Sequence, residues 1–244
     1  MEQIDTLKSG YRIIQDKQKF MFGIDAVLLA DYASVRKNEK IFDLCTGTGI
    51  VPLLLHGISK EFNPSFTAIE IQKESADMAK KSVELNHLEN QIKIVCGDLK
   101  NVSSIFEKHS FDVVTCNPPY MLDEHGKQNP NDYKRIARHE VFCTLKDVVC
   151  AAEYLLKPHG RFYLIHRPFR LVEIFSTLTE YKLEPKRMRL VQPFLQKEPN
   201  MVLIEARKNA SSRLTIEKPL VVYEKPCQYT QEILQIYENT SGHN

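Results

Sequence analysis

Between residues 40 and 207, short apolar runs alternate with longer amphipathic ones, and no repeat or low-complexity tract interrupts them. Parallel strands need a crossover of a dozen or more residues, so this rhythm restricts the chain to βαβ units around a mostly parallel sheet. Strands are expected at 40–45, 65–71, 92–96, 111–116, 160–166, 187–192 and 201–206, and helices at 50–59, 73–86, 102–108, 145–156 and 169–181. In the helix at 73–86, Ala76, Ala79, Val83 and Leu85 lie near one face, and Asn86 is placed to end it. Before the first strand, a helix at 25–33 follows a loop at 11–23 rich in aromatic and basic residues. After the last strand, 208–213 reads as a turn, 220–223 as a strand and 229–237 as a helix. Residues 121–138, with Asp, Gly, Asn and Pro and little periodicity, form a loop long enough to be functional or disordered.

The 244 residues suit one large domain, and with 43% hydrophobic and 26% charged residues the chain buries a core without staples. The net charge of +2 names no polyanionic partner, but it is an average. Residues 1–122 carry 14 basic and 16 acidic side chains, whereas residues 127–218 carry 18 basic and 10 acidic ones. That excess either attracts a polyanion or is a solvated face. The six cysteines form no Cys-x-x-Cys pair and read as small buried hydrophobes, and the eight histidines are scattered, so no metal site is expected. The start has no apolar signal core and no run of about 18 apolar residues exists, which predicts a cytoplasmic protein with no membrane partner.

The first strand ends in Asp43-Leu44-Cys45-Thr46-Gly47-Thr48-Gly49, followed at once by a helical run. A glycine turn lets a ligand approach the backbone, and the helix start offers free N–H donors, although ligand-free turns use the same device. Pro52 stands where a dinucleotide fingerprint has its third glycine, which demotes a dehydrogenase. Glu70 closes the second strand, where a carboxylate can accept both hydroxyls of a ribose. Asp98, after the third strand, can accept a hydrogen bond from an adenine amine. Taken singly, each of the two carboxylates is more often a helix N-cap than a ligand. Their order on successive strands favours ligand binding, because open α/β sheets bind at the carboxyl ends of strands.

Asn117-Pro118-Pro119-Tyr120 follows the fourth strand. Two prolines contribute no N–H donors, so the turn presents acceptors: the Asn117 side-chain oxygen and the Pro118 carbonyl. Two acceptors on the hydrogens of a planar amine hold its nitrogen toward an electrophile, while Tyr120 stacks on the ring. The bland alternative is a simple proline turn. Arg135 and Arg138, three residues apart, share a face and can meet phosphates or pair with Glu140. His139 beside them is either part of that substrate surface or an ordinary half-buried histidine. The stretches 161–170 and 182–189 add positive charge that can cradle RNA.

The set Asp43, Gly47, Gly49, Glu70, Gly97-Asp98 and Asn117–Tyr120 resembles the S-adenosylmethionine-dependent methyltransferases that modify exocyclic or amide nitrogens. Along nearly the whole chain, including residues 20–30 and 135–140, it resembles the bacterial tRNA1(Val) (adenine-37-N6)-methyltransferase family. The resemblance implies a doubly wound α/β fold, a class I methyltransferase sheet of seven mostly parallel strands with an antiparallel last strand. It implies S-adenosylmethionine bound at Asp43, Cys45, Thr46, Gly47, Gly49, Glu70, Ile71, Asp98, Leu99 and Asn117. Asn117, Pro118 and Tyr120 would be catalytic, with Phe22, Asp25, Pro119, Tyr120, Arg135, Arg138 and His139 toward the tRNA. Cys45 departs from the pattern, since many relatives have glycine there. The expected partition is a lid or substrate segment at 1–39, a catalytic core at 40–207 and an extension at 208–244, acting as a monomer or weak dimer.

Other acceptors share the motif. A glutamine side chain also offers two N–H donors, but resemblance to glutamine-modifying enzymes calls for a sizeable helical domain ahead of the glycine turn, and about forty residues precede Asp43 here. DNA adenine methylation is weakened by the lack of a visible target-recognition segment, and a non-catalytic RNA-binding module has no need of paired acceptors.

Overall fold

The computed structural model describes residues 2–16, 21–119 and 143–240. The chain opens on a hairpin, β1 (Glu2–Thr6) against β2 (Arg12–Asp16), where sequence reasoning expects a loop from residue 11. Its turn is closed by Leu7 N–H to Tyr11 C=O at 2.7 Å, with Gly10 at φ +81°. The hairpin's few apolar residues give no local signal; its partners come from elsewhere in the chain. Arg12 N–H donates to Asn86 Oδ1 at 2.8 Å and Ile14 N–H to Ser82 Oγ at 2.9 Å. Helix α1 (Ile24–Tyr32) then buries Ala26, Val27, Leu28, Leu29 and Ala30.

The main sheet takes in β3 (Lys40–Leu44), β4 (Ser65–Glu70), β5 (Ile92–Cys96), β6 (Phe111–Cys116), β7 (Leu156–His166), β8 (Leu183–Gln192) and β9 (Met201–Lys208), in the spatial order β8-β9-β7-β6-β3-β4-β5. β9 is antiparallel to both neighbours, and β3 to β7 pair in parallel. The expected seven strands and antiparallel last strand are therefore present. Two short strands, β10 (Thr215–Ile216) and β11 (Leu220–Val221), extend the edge beside β8 and bring the sheet to nine strands. β7 and β8 start four residues earlier than the sequence suggests, each through a bulge, because Pro158 and Pro185 read locally as strand breakers.

Helices α2 (Ile50–Ser59), α3 (Lys73–Leu85), α4 (Val102–Ile105), α5 (Leu145–Leu155) and α6 (Leu171–Glu180) alternate with the strands. They divide the interior into two cores. Tyr163 and Ile165 point into the core with α1 and α2, Phe162 and Leu164 into the core with α5 and α6. A central strand covered on both faces needs that unbroken apolar run. In the second core Phe42 lies edge-on to Phe106 and Phe111, each at 4.9 Å; truncating it to alanine would cost about 3–5 kcal/mol. At the C-terminus β12 (Tyr223–Lys225), β13 (Gln228–Tyr229) and α7 (Gln231–Asn239) carry a ladder in which Tyr229 stacks on Tyr223 at 5.1 Å and meets Tyr237 at 5.6 Å.

Several of the basic residues of the stretch 127–218 are paired inside this frame. Arg161 is buried and reaches Glu39 at 2.6 Å, Arg187 lies 2.8 Å from Glu205, Arg189 2.5 Å from Glu232, and Lys208 2.7 Å from Glu153. Within the stretches 161–170 and 182–189, Arg161, Arg187 and Arg189 brace strands and the ends of helices. Cysteines also differ from expectation. Cys116 is buried, but Cys96 ends the edge strand β5, Cys150 is on the outer face of α5 and Cys227 is in a tight turn, all three exposed.

Candidate functional site

Strand register decides which residues share an edge. Leu44 pairs with Ile69 and with Cys116, and Glu70 pairs with Cys96. The residues just past these strands, Cys45, Ile71, Gly97 and Asn117, therefore stand in one row at the carboxyl ends of four adjacent parallel strands. The Ser34 C=O, just past α1, accepts from Arg161 toward the opposite edge of β7, so α1 starts toward the carboxyl rim; there Phe22 N–H donates to Gln15 Oε1 at 2.9 Å and Asp25 Oδ1 accepts from Ala26 N–H.

The turn after β3 is built from left-handed backbone. Cys45, Gly47 and Gly49 have φ of +57°, +59° and +84°. A glycine adopts such angles freely, whereas a side chain costs roughly 1 kcal/mol, so the left-handed turn is strained at Cys45. Gly49 also needs space: a Cβ there would sit 3.2 Å from the Ala79 methyl of α3. Pro52 falls in the first turn of α2, where its missing N–H costs no helical bond. Thr46 N–H donates to Ile69 C=O at 3.1 Å, tying the turn to β4. The Thr48 hydroxyl is fully buried and has no hydrogen-bond partner among the described residues, an unsatisfied polar atom at the turn. Thr48 lies between the two glycines, and sequence reasoning missed it.

Glu70, 5% exposed, cross-braces the turn: Oε2 accepts from Gly47 N–H and Oε1 from Gln72 N–H, both at 2.9 Å. Burial raises its pKa, opposed by these backbone donors. Asp43, 2% exposed, accepts the Thr115 hydroxyl at 2.6 Å, and burial pushes its pKa up to about 7. Among the described residues neither carboxylate has an ion-pair partner. Asp98 does what its alternative reading called for and caps a short helical turn, accepting Lys100 N–H at 2.9 Å, while Lys100 Nζ lies 3.5 Å from its other oxygen. It remains partly exposed and at the same rim. Leu99 is buried behind it, and Ile71 is exposed beside Glu70.

At the end of β6, Asn117 and Pro119 are half-buried and Pro118 is buried. Behind this turn Cys116 lies beside Cys45, and Cys143 Sγ approaches Cys45 Sγ to 4.0 Å. All three thiols are held up, Cys116 by burial, Cys45 by its contact with Cys116 and Cys143 by its contact with Cys45, so they form a neutral floor. Tyr120, Arg135, Arg138 and His139 lie outside the described residues. Among the described residues no His, Cys, Asp and Glu side chains group into a metal-binding cluster, and no helix is long and apolar enough to cross a membrane.

A doubly wound sheet with one antiparallel strand, a left-handed glycine turn and an Asn-Pro-Pro turn on neighbouring strand ends defines the methyltransferase class of α/β proteins. The chain belongs to the methyltransferase small domain family, whose model matches residues 22–181. It is 29% identical over 213 residues to a tRNA1(Val) (adenine(37)-N6)-methyltransferase of Parabacteroides distasonis, covering 85% of this chain and 87% of that one. A protein of the same description from Trichodesmium erythraeum is 27% identical over 231 residues and 94% of each chain. The fold matches the crystal structure of a predicted O-methyltransferase from Agrobacterium tumefaciens at a TM-score of 0.71 and 21% identity, over 90% of this chain and 98% of that one.

Proposed function

We propose that the protein methylates the N6 amine of an adenine in tRNA, at position 37 of the anticodon loop, with S-adenosylmethionine as donor. The observation that carries this reading is the placement of Asn117 and Pro118, in a turn whose two prolines have no N–H, one strand away from the glycine turn and on the same edge. The names of the two tRNA-modifying relatives support the acceptor.

The residues present fit the donor. The glycine turn admits close approach, Glu70 keeps lone pairs beyond the two N–H groups it accepts, and the orphaned Thr48 hydroxyl offers a polar contact. Glu70 would hold the ribose hydroxyls, Asp98 and Ile71 the adenine side and the turn at 45–49 the methionine end. When bound, S-adenosylmethionine supplies an electrophilic methyl group. The Asn117 Oδ1 and the Pro118 carbonyl accept the two N–H groups of the target amine and aim its lone pair, with Tyr120 stacked on the base. The amine needs no prior deprotonation, because its nitrogen becomes acidic as the new bond forms. An anticodon-loop base costs less to extrude than a paired one.

The test is a labelled-methyl assay on total tRNA and total protein, followed by nucleoside analysis. Label in N6-methyladenosine is expected; label in protein alone, or in another nucleoside, overturns the assignment. Asn117→Ala should lower transfer by about 10²–10³-fold while donor binding persists, and unchanged turnover would remove Asn117 from the catalytic set.

A further inference from the structure

The turn that follows β7 exposes an aromatic ring at the same edge as Asn117. Register pairs Cys116 with Leu164, so Asn117 and the turn at 167–170 leave neighbouring strands on one side. Phe169 is 56% exposed and Val172 86%, and with Arg170, Glu173 and Ser176 they line an open groove of about 600 Å³. Leu195, in the β8–β9 turn at the same edge, is also exposed. Large apolar side chains left together in water beside a site mark a contact surface.

The turn is held by several hydrogen bonds. Arg167 N–H donates to His166 Nδ1 at 2.7 Å, Arg170 N–H to Arg167 C=O at 3.2 Å, and Arg167 Nη1 to Asn200 C=O at 2.8 Å, joining this turn to the start of β9. Arg170 holds Glu173 by two bonds of 2.8 and 2.6 Å, so the acidic neighbour of the groove is neutralised. Arg167 precedes the ring by two residues and reaches the β8–β9 turn, which also carries Lys197, a residue with no ion pair among the described residues. Glu198 beside Lys197 limits the local positive field. An exposed ring on a braced turn, with modest positive charge around it, fits a base and its phosphate better than it fits a polyanion held by charge alone.

We propose that Phe169 is a stacking platform for an unpaired base flanking the target adenine, with Arg167 on the adjoining phosphate. This rests on the tRNA reading above. Extruding the target adenine unstacks its neighbour, and a ring one strand away from Asn117 replaces that stack.

The experiment measures binding of an unmodified tRNA transcript by fluorescence anisotropy across a salt series, with methyl transfer on the same RNA. Phe169→Ala is expected to weaken tRNA binding about tenfold and raise KM, with an unchanged salt slope and unchanged donor affinity. Phe169→Trp should restore binding, which a merely structural ring would not allow. Arg167→Ala should reduce the salt slope by about one phosphate's share. If the parent labels tRNA and Phe169→Ala binds and labels it equally, the platform is overturned and the tRNA reading stands. If Val172→Glu changes the oligomeric state by light scattering while tRNA affinity holds, the patch joins two copies of this chain and the platform is likewise overturned. A parent that labels no tRNA overturns the tRNA reading and the platform with it.

Discussion

The two halves of the sheet treat charge in opposite ways. On the β3–β4 side, Asp43 and Glu70 are buried with no cation beside them among the described residues, held by a hydroxyl and backbone N–H groups. On the β7–β9 side, Arg161, Arg187 and Lys208 are held by Glu39, Glu205 and Glu153. Net charge read from sequence counts both kinds alike. A paired buried ion completes the frame, whereas a buried carboxylate without a cation costs stability.

The largest expected effect tests the paired side. Arg161→Ala leaves Glu39 facing an emptied pocket and should cost about 3–5 kcal/mol in denaturant unfolding; a loss below about 1 kcal/mol would return the pair to the exposed class. The other side is read through pH. Burial holds Asp43 near 7 in the folded donor-free protein against 3.8 for an unperturbed aspartate, so the folded chain keeps a proton that the unfolded chain has released. Its contribution is full below about pH 4 and is lost as pH rises through 7, on the order of 4 kcal/mol. Asp43→Asn should flatten that decline relative to the parent when stability is compared at pH 5 and pH 8, and parallel profiles would contradict it.

Smaller effects sharpen the contrast. Asp98→Ala should reduce donor affinity about tenfold, or 1.4 kcal/mol, by calorimetry, with up to about 1 kcal/mol of stability lost with the cap. An unaltered dissociation constant would leave Asp98 as a cap alone. Least in energy but clearest in sign, Arg135→Ala with Arg138→Ala should lower the salt slope of tRNA binding by about 0.7–0.9 for each phosphate no longer neutralised. Arg189→Ala, which breaks a pair with Glu232, should leave that slope unchanged. Equal slopes for the double variant and the parent would place Arg135 and Arg138 with the braces.

The glycine turn, Glu70, Asp98 and the Asn-Pro-Pro turn were legible in the sequence because each follows an apolar run at fixed spacing and involves local backbone chemistry. The hairpin β1–β2 was not, because its strands are stabilised by Ser82 and Asn86, about seventy residues away. Neither was the orphaned Thr48 hydroxyl, since a threonine between glycines looks like turn filler until its neighbours are in place. The early starts of β7 and β8 were hidden by prolines, which a bulge accommodates only once a partner strand is present.

The sequence by itself determined the alternation of strand and helix, the order of the site's turns and the residues in them, because periodicity and turn chemistry act over a few residues. Only the tertiary structure decided which arginines are spent inside the frame, that two carboxylates lie buried without a cation among the described residues, and that Phe169 faces solvent at the same edge as Asn117. Those outcomes depend on which surfaces meet across the sheet, and pairing and desolvation arise only when they do.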